Sequence, residues 1–271
     1  MNRNQKIGLG VLGGVAGIVG VGVAGLQVRP PAVKLPAGPD WQASAEELPE
    51  SLPAPVFRHL QQVMGRRHPY IRTAVLGAQA RFRMGLWLPM RFVAYHVIGQ
   101  HFIRDMDVTW FGYTVFSGED RYVNGQGLMN IGGQISHGPE IDQGEAMAMW
   151  AEAALLFPSA TINRPGVRWE AVNNTTAHLY FPVGSDEEMA TVTFDPQTGF
   201  AQRFSCLRYK EVGQEKEPWH VLFKGWHKHE AMMLPSQIEV LWEREGSPWF
   251  KAEITDVSLN VDLSAKFPAT S

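Results

Sequence analysis

Between residues 73 and 87 the chain alternates one position at a time. Ala74, Leu76, Ala78, Ala80, Phe82 and Met84 interleave with Val75, Gly77, Gln79, Arg81 and Arg83. A period of two marks a strand with two unlike faces. Further strand-like runs follow at 90–98 and 108–116, and Gly118-Glu119-Asp120 reads as a turn into 121–124. Residues 127–136 form another run, weakened by Gly132 and Gly133. The period then changes: Ile141, Glu145, Met149, Glu152 and Leu156 recur every three to four positions, which predicts a helix that Pro158 ends. Seven more strands are predicted at 167–172, 177–182, 189–194, 200–209, 219–231, 236–242 and 249–263, with a hairpin loop from Asp195 to Gly199. Upstream, a short amphipathic helix begins after Leu48. Pro55 suits its first turn, Val56, Leu60 and Val63 share a face, and Gly65 stops it.

About eleven strands and two helices are therefore expected between residues 48 and 263. The strands are not separated by crossover helices, which disfavours a parallel sheet. The predicted fold is mainly β (α+β): a single curved antiparallel sheet with a helix, centred on the stretch 150–170, plugging its concave face.

Residues 7–26 contain no charge and no polar side chain, and about twenty apolar residues match the roughly 30 Å hydrocarbon core of a bilayer. An N-terminal transmembrane helix is expected here. The rival is a cleaved signal peptide with Val23-Ala24-Gly25 as its site, for which the apolar run is too long. Gly10 with Gly14, and Gly13 with Gly17, have the spacing of close helix–helix contacts, hence an anchor-mediated homodimer, though such pairs also arise by chance in a run this rich in glycine. Arg3 and Lys6 before the run balance Arg29 and Lys34 after it, so charge barely orients the span. Pro30, Pro31, Pro36 and Pro39 then suggest an extended tether. The expected organisation is an anchor at 1–26, a proline-rich tether at 27–46, the β domain at 47–264 and a tail at 265–271.

A net charge of −3 gives no case for nucleic acid as a partner. The single cysteine, Cys206, reads as a buried apolar residue. No phosphate loop or nucleophile elbow is present. His227 and His229 would face one side of a strand, but His220 lies an odd number of residues away, so a three-histidine metal site is disfavoured. No catalytic residue, metal or cofactor is expected. Glu152, set mid-helix among alanines and leucines, needs a partner if it faces the sheet, and Arg208 and Arg168 are the candidates. The candidate ligand-binding residues are Glu152, Trp110, Trp169, Arg208 and Trp242.

The segment WAEAALLFPSA followed by GVRWE, together with LPAPVFRHL from residue 52, DRYVNGQGLM from Asp120 and Val240-Leu241-Trp242, resembles a family of uncharacterised, mostly membrane-anchored bacterial proteins. The chain departs from that family's pattern at Val172-Asn173, where an Ile-Asp pair is usual. The resemblance implies an open half-barrel like that of periplasmic lipoprotein carriers of the localisation-factor type, with an apolar concave face and a domain outside the cytoplasm. It carries no established activity. The function expected first is a membrane-tethered, extracytoplasmic, inner-membrane binding protein holding a lipid or other apolar ligand. The second is an envelope interaction protein with a packed concave face, and the third a hydrolase or metal-dependent enzyme.

Overall fold

A computed structural model describes residues 22–38, 45–229 and 232–267. Among them a short pair, β1 (Ala45–Glu47) with β2 (Arg67–Pro69), stands beside one thirteen-stranded antiparallel sheet. The first half of that sheet is a meander of β3 (Thr73–Met84), β4 (Leu86–Val97), β5 (His101–Trp110), β6 (Tyr113–Val123), β7 (Gln126–Ile131) and β8 (Gln134–Ser136). The second is a meander of β9 (Arg168–Asn173), β10 (Thr176–Val183), β11 (Asp186–Phe194), β12 (Ala201–Tyr209), β13 (Lys216–His229), β14 (Met232–Trp242) and β15 (Phe250–Leu259). The two join where β3 pairs with β15, which leaves β8 and β9 as the edges. Helix α3 (Pro139–Leu156) connects those edges across the concave face.

Three of the expected runs break at backbone turns, and the main sheet has thirteen strands rather than about eleven. Gly85, with φ of 71°, separates β3 from β4. Phe111 and Gly112, at 50° and 79°, split the run 108–116, and Gly132-Gly133 split 127–136. The expected turn at Gly118-Glu119-Asp120 is instead the middle of β6, where these residues pair with Met106, Asp105 and Arg104. A propensity for turning is overridden there by a complete ladder with the neighbouring strand.

The predicted alternation in β3 holds: Ala74, Leu76, Ala78 and Ala80 belong to the main core under α3, while Arg81 and Arg83 point to the other side. Helix α3 is buried almost all round, the pattern of a helix enclosed by its own domain. Pro139 occupies its first turn, and Glu140 and Asp142 sit at the positive end of its dipole. The backbone of β7 approaches so closely that a Cβ on Gly127 would lie 2.5 Å from the Ile141 carbonyl oxygen. Trp150 stacks on Phe181 at 4.9 Å and donates its indole N–H to the Pro182 carbonyl, which ties the helix to β10. The shorter helix, α2 (Ala54–Met64), buries Val56, Leu60 and Val63 as its spacing predicts, and Gly65 ends it with φ of 79°.

Residues 7–21 of the expected transmembrane helix lie outside the described residues, as do 39–44 of the expected tether and 268–271 of the expected tail. Residues 22–27 are helical (α1), and among the described residues no helix is long and apolar enough to cross a membrane. Residues 27–38 run along the sheet's outer face. Arg29 pairs with Glu253 at 2.7 Å, and Val33 and Leu35 pack with Val75, Val93, Val261 and Leu263 in a second, smaller apolar cluster. Phe267 closes that cluster and stacks on His101.

Candidate functional site

Under α3, a hollow lies on the side away from β9–β11. A cavity of about 220 Å³ lies between the helix positions Ala148, Ala151 and Glu152 and the inward faces of two groups of strands. Phe82, Met90, Phe92, Met106, Val108 and Phe116 come from one group, and Trp219, Val221, Phe223, Ile238, Val240 and Phe250 from the other. Larger hollows of about 630 and 640 Å³ lie along the outer surface, beside residues 32–34 and beside Asn260–Ser264. Those are open grooves bordered by charged side chains, whereas the inner cavity is walled by aromatic and aliphatic groups. Wall chemistry, rather than size, selects the inner one as a ligand site.

One side of this cavity carries fixed charges. Glu145 and Glu152, two helical turns apart, share the face of α3 that meets the sheet. Arg104 on β5 pairs with Glu152 and, at 3.2 Å, with Asp120 on β6. His96 Nε2 lies 2.8 Å from the other oxygen of Glu152. Arg208 on β12 donates to the Gly144 carbonyl at 2.8 Å and to Glu145 at 3.3 Å, with its guanidinium 4.8 Å from the ring centre of Trp219. These groups arise from regular alternation: Phe102, Arg104, Met106 and Val108 share the inward face of β5, and Gly118, Asp120 and Tyr122 that of β6.

The environments push the carboxyls apart. Burial alone would raise Glu152, but Arg104 and His96 pull it down to about 2. Glu145 is pushed up to about 8 by burial and by the like charge of Asp120, against the pull of Arg208 and Arg104. Asp120 is raised as well, chiefly by burial. Glu145 is therefore a neutral acid at pH 7, capable of donating a hydrogen bond. Its Oε2 and the Oδ1 of Asp120 are buried with no partner among the described residues, polar atoms at the charged side of a site walled mainly with hydrocarbon.

These shifts fix the sign of a pH dependence. Glu145 keeps in the folded state a proton that the unfolded chain releases above about 4.5, so stability falls as pH rises toward about 8. His59, buried among Phe194, Phe200 and Trp226, is lowered by burial to about 3, and its contribution is lost as pH falls below about 6.5. Urea unfolding should accordingly be most resisted near pH 6. The Glu145→Gln variant should gain on the parent chain steadily from pH 5 to pH 8. A difference that stays flat across that window would refute the assignment of a proton to Glu145.

Of the residues singled out from sequence, Glu152 and Arg208 border the cavity and the three tryptophans are not among its lining residues. Trp242 is buried beside Trp219, with the Arg208 guanidinium 5.8 Å from its ring. Trp169 is half-buried on the edge strand β9, and Trp110 is exposed at the β5–β6 turn. The helix–sheet pairing expected of Glu152 exists, but through Arg104 and His96. Arg208 pairs with Glu145 instead, and Arg168 lies at the surface with Glu170 and Glu187. Arg104, His96 and Asp120 are marked in the sequence only by a charge or imidazole on the apolar face of an alternating strand. His227 is exposed and His229 meets the Val257 carbonyl, while His220 is buried beside Ser205. Among the described residues no group of three or more His, Cys, Asp or Glu is placed to hold a metal ion.

The sequence model of a family described as "Family of unknown function (DUF6544)" matches residues 42–252. No curated protein matches the chain. Among solved structures, a LolA superfamily protein from Nitrosomonas europaea is similar at a TM-score of 0.45 and 8% identity, over 78% of this chain and 94% of that one. A domain described as an outer membrane lipoprotein-sorting protein from Vibrio parahaemolyticus gives 0.41 and 8%, over 70% and 86%. A DUF1329 family protein from Desulfovibrio piger gives 0.39 and 12%, over 74% and 91%.

Proposed function

The chain belongs to a family of unknown function, DUF6544, and from its concave face we propose that it is a membrane-tethered, extracytoplasmic binding protein for an amphiphile with an apolar chain. The observation that carries this reading is the apolar cavity beneath α3, bordered on one side by a neutral acid and two guanidinium groups. Its 220 Å³ lies between a cavity of about 150 Å³ that holds benzene and the roughly 300–1,000 Å³ of pockets for drug-sized ligands. A short acyl segment or one ring matches that space, with the polar end of the ligand toward Glu145 and Asp120. The uncharged run at 7–26 supports the tether.

An enzymatic reading has less support. Cys206, the one cysteine, is buried and its thiol is pushed up to about 12, far from a usable nucleophile. The envelope-interaction reading is favoured by the close packing of Trp150, Phe181 and Phe204 in the β9–β12 half. It differs in requiring no bound molecule.

The test is mass spectrometry of the full chain purified from membranes, followed by irradiation with a diazirine-bearing fatty acid. Cross-links on the peptide spanning Glu145–Glu152 are expected. Labelling confined to the outer grooves, with no co-purifying apolar adduct, would overturn the proposal.

A further inference from the structure

The turns at Gly85, at Phe111-Gly112 and at Gly132-Gly133 lie at one end of the sheet, since each joins alternate pairs of the meander β3–β8. They stand two strand spacings apart, about 10 Å from one to the next. Their side chains are large, apolar and turned to solvent: Met84 is 64% exposed, Tyr113 79% and Ile135 60%, with Leu86, Trp110 and Phe111 beside them. No charged residue occurs in 84–90, 108–116 or 131–136. The other turns at this end are different, with Asp186 and Glu187 after Gly184, Lys210 and Glu211 after β12, and Glu243-Arg244-Glu245 after β14. Three turns of one rim are thus apolar and carry no charge of their own, with Arg83 and Lys251 over the Trp87 ring behind them, and the other half carries the usual charges of a soluble surface.

A separate observation shows what lies against the middle of the apolar half. Trp110 Nε1 donates to the Gly22 carbonyl at 3.0 Å, and the Phe111 N–H donates to Gly25 at 3.0 Å. A Cβ on Gly25 would stand 2.1 Å from the indole nitrogen, so only glycine lets α1 lie on this ring. Position 22 of the chain is therefore seated on the middle turn of the apolar rim, and the residues before it, 7–21, are the uncharged run. The cavity also extends toward this end, since Phe82, Phe116, Ile131 and Trp249 are among its lining residues.

We infer that the turns at Gly85, Phe111-Gly112 and Gly132-Gly133 form a docking rim that sits in the interfacial layer of a phospholipid bilayer. Tryptophan and tyrosine at the turn tips have the amphipathic rings that concentrate at headgroup level. Separate projecting tips suit a soft lipid surface better than a flat protein partner. Docking there turns the cavity end at Phe82 and Ile131 toward the lipid, giving an acyl chain a short dry route between bilayer and core. The inference rests on the anchor reading for residues 7–26 and deepens the proposed function by naming the source of the ligand.

The full chain, reconstituted in nanodiscs of phosphatidylethanolamine and phosphatidylglycerol, tests it through single labels of an environment-sensitive fluorophore. Met84→Cys, Tyr113→Cys and Ile135→Cys carry the label on the rim. Ser185→Cys and Val212→Cys carry it on the charged half of the same end, and Gln197→Cys at the opposite end. Cys206 stays in place because it is buried. Rim labels are expected to emit several-fold more strongly and to the blue of the controls, and to be quenched by brominated lipid. A chain that stays with the nanodiscs while its rim labels match Ser185→Cys overturns the docking and leaves the anchor standing. A chain that does not remain with the nanodiscs overturns both. Rim shielding that depends on protein concentration, without lipid quenching, assigns the surface to a second copy and equally overturns the proposal.

Discussion

Replacing Arg104 with methionine is expected to cost about 3–5 kcal/mol of folding stability, the usual consequence of removing one partner from a buried ionic cluster. Its guanidinium is the centre of the group: it pairs with Glu152 and Asp120 and lies over the rings of Phe102 and Phe92. Without it, among the described residues Glu152 keeps only His96, and Asp120 loses the single partner of Oδ2. The loss carries a signature that a simple packing defect lacks. Both carboxyls should move upward once the cation is gone, so the deficit should be greatest at neutral pH and shrink in acid. Adding Asp120→Asn and Glu152→Gln to Arg104→Met should restore much of the stability, because the charges left unpaired are then removed. Denaturant unfolding of the single and triple variants at pH 5 and pH 7.5 measures both effects. A cost below about 1 kcal/mol for Arg104→Met would mean that water reaches these groups, as at surface pairs, and that the cavity beside them is not dry.

Ala148→Phe should abolish ligand occupancy while leaving the fold intact. Ala148 lies on the face of α3 that borders the cavity, so a phenyl ring there projects into empty space rather than into packed neighbours. A benzene-sized group takes up most of a cavity near 150 Å³, and the space beneath α3 is about 220 Å³. Photo-labelling of the Glu145–Glu152 peptide by a diazirine fatty acid is expected to fall at least about ten-fold, a loss of roughly 1.4 kcal/mol or more in binding. Thermal stability should hold or rise slightly, as in other cavity-filling substitutions. The same change at Ala153, which is fully buried and does not border the cavity, should destabilise by about 1–3 kcal/mol through overpacking. Undiminished labelling in a folded Ala148→Phe chain would remove the cavity as the binding site.

The strands and the enclosed helix were legible in the pattern because one face of each strand meets the core. The alternation through Ala74–Phe82 and the three-to-four spacing through Ile141–Leu156 report burial directly. The breaks were less legible. Phe111 adopts a positive φ despite its bulky side chain, and no propensity marks that position as a turn. Asp120 looked like part of a turn because its meaning depends on a strand partner sixteen residues earlier, Arg104, and a local window does not contain that register. The site was half legible for the same reason. Glu152 stood out as a charge among apolar neighbours, but its partners lie on β4 and β5, chosen by the lateral order of strands. The residue type of Trp110 makes it a candidate for ligand binding but says nothing of its position. Its exposed place on the rim follows from the turn beside it and from the closeness of Gly25.

The pairing order of the sheet also bears on how the chain finds its shape. Among the described residues every ladder but one joins strands that follow each other along the chain, and the exception is the seam between β3 and β15. The entropy of closing a long loop is therefore incurred once in building the thirteen-stranded sheet, and it grows only slowly with the length enclosed. Each meander can assemble from neighbouring hairpins, which are the faster events for a β-rich chain. Joining the seam brings the two halves together over α3, so the cavity beneath that helix exists only once both halves are in place.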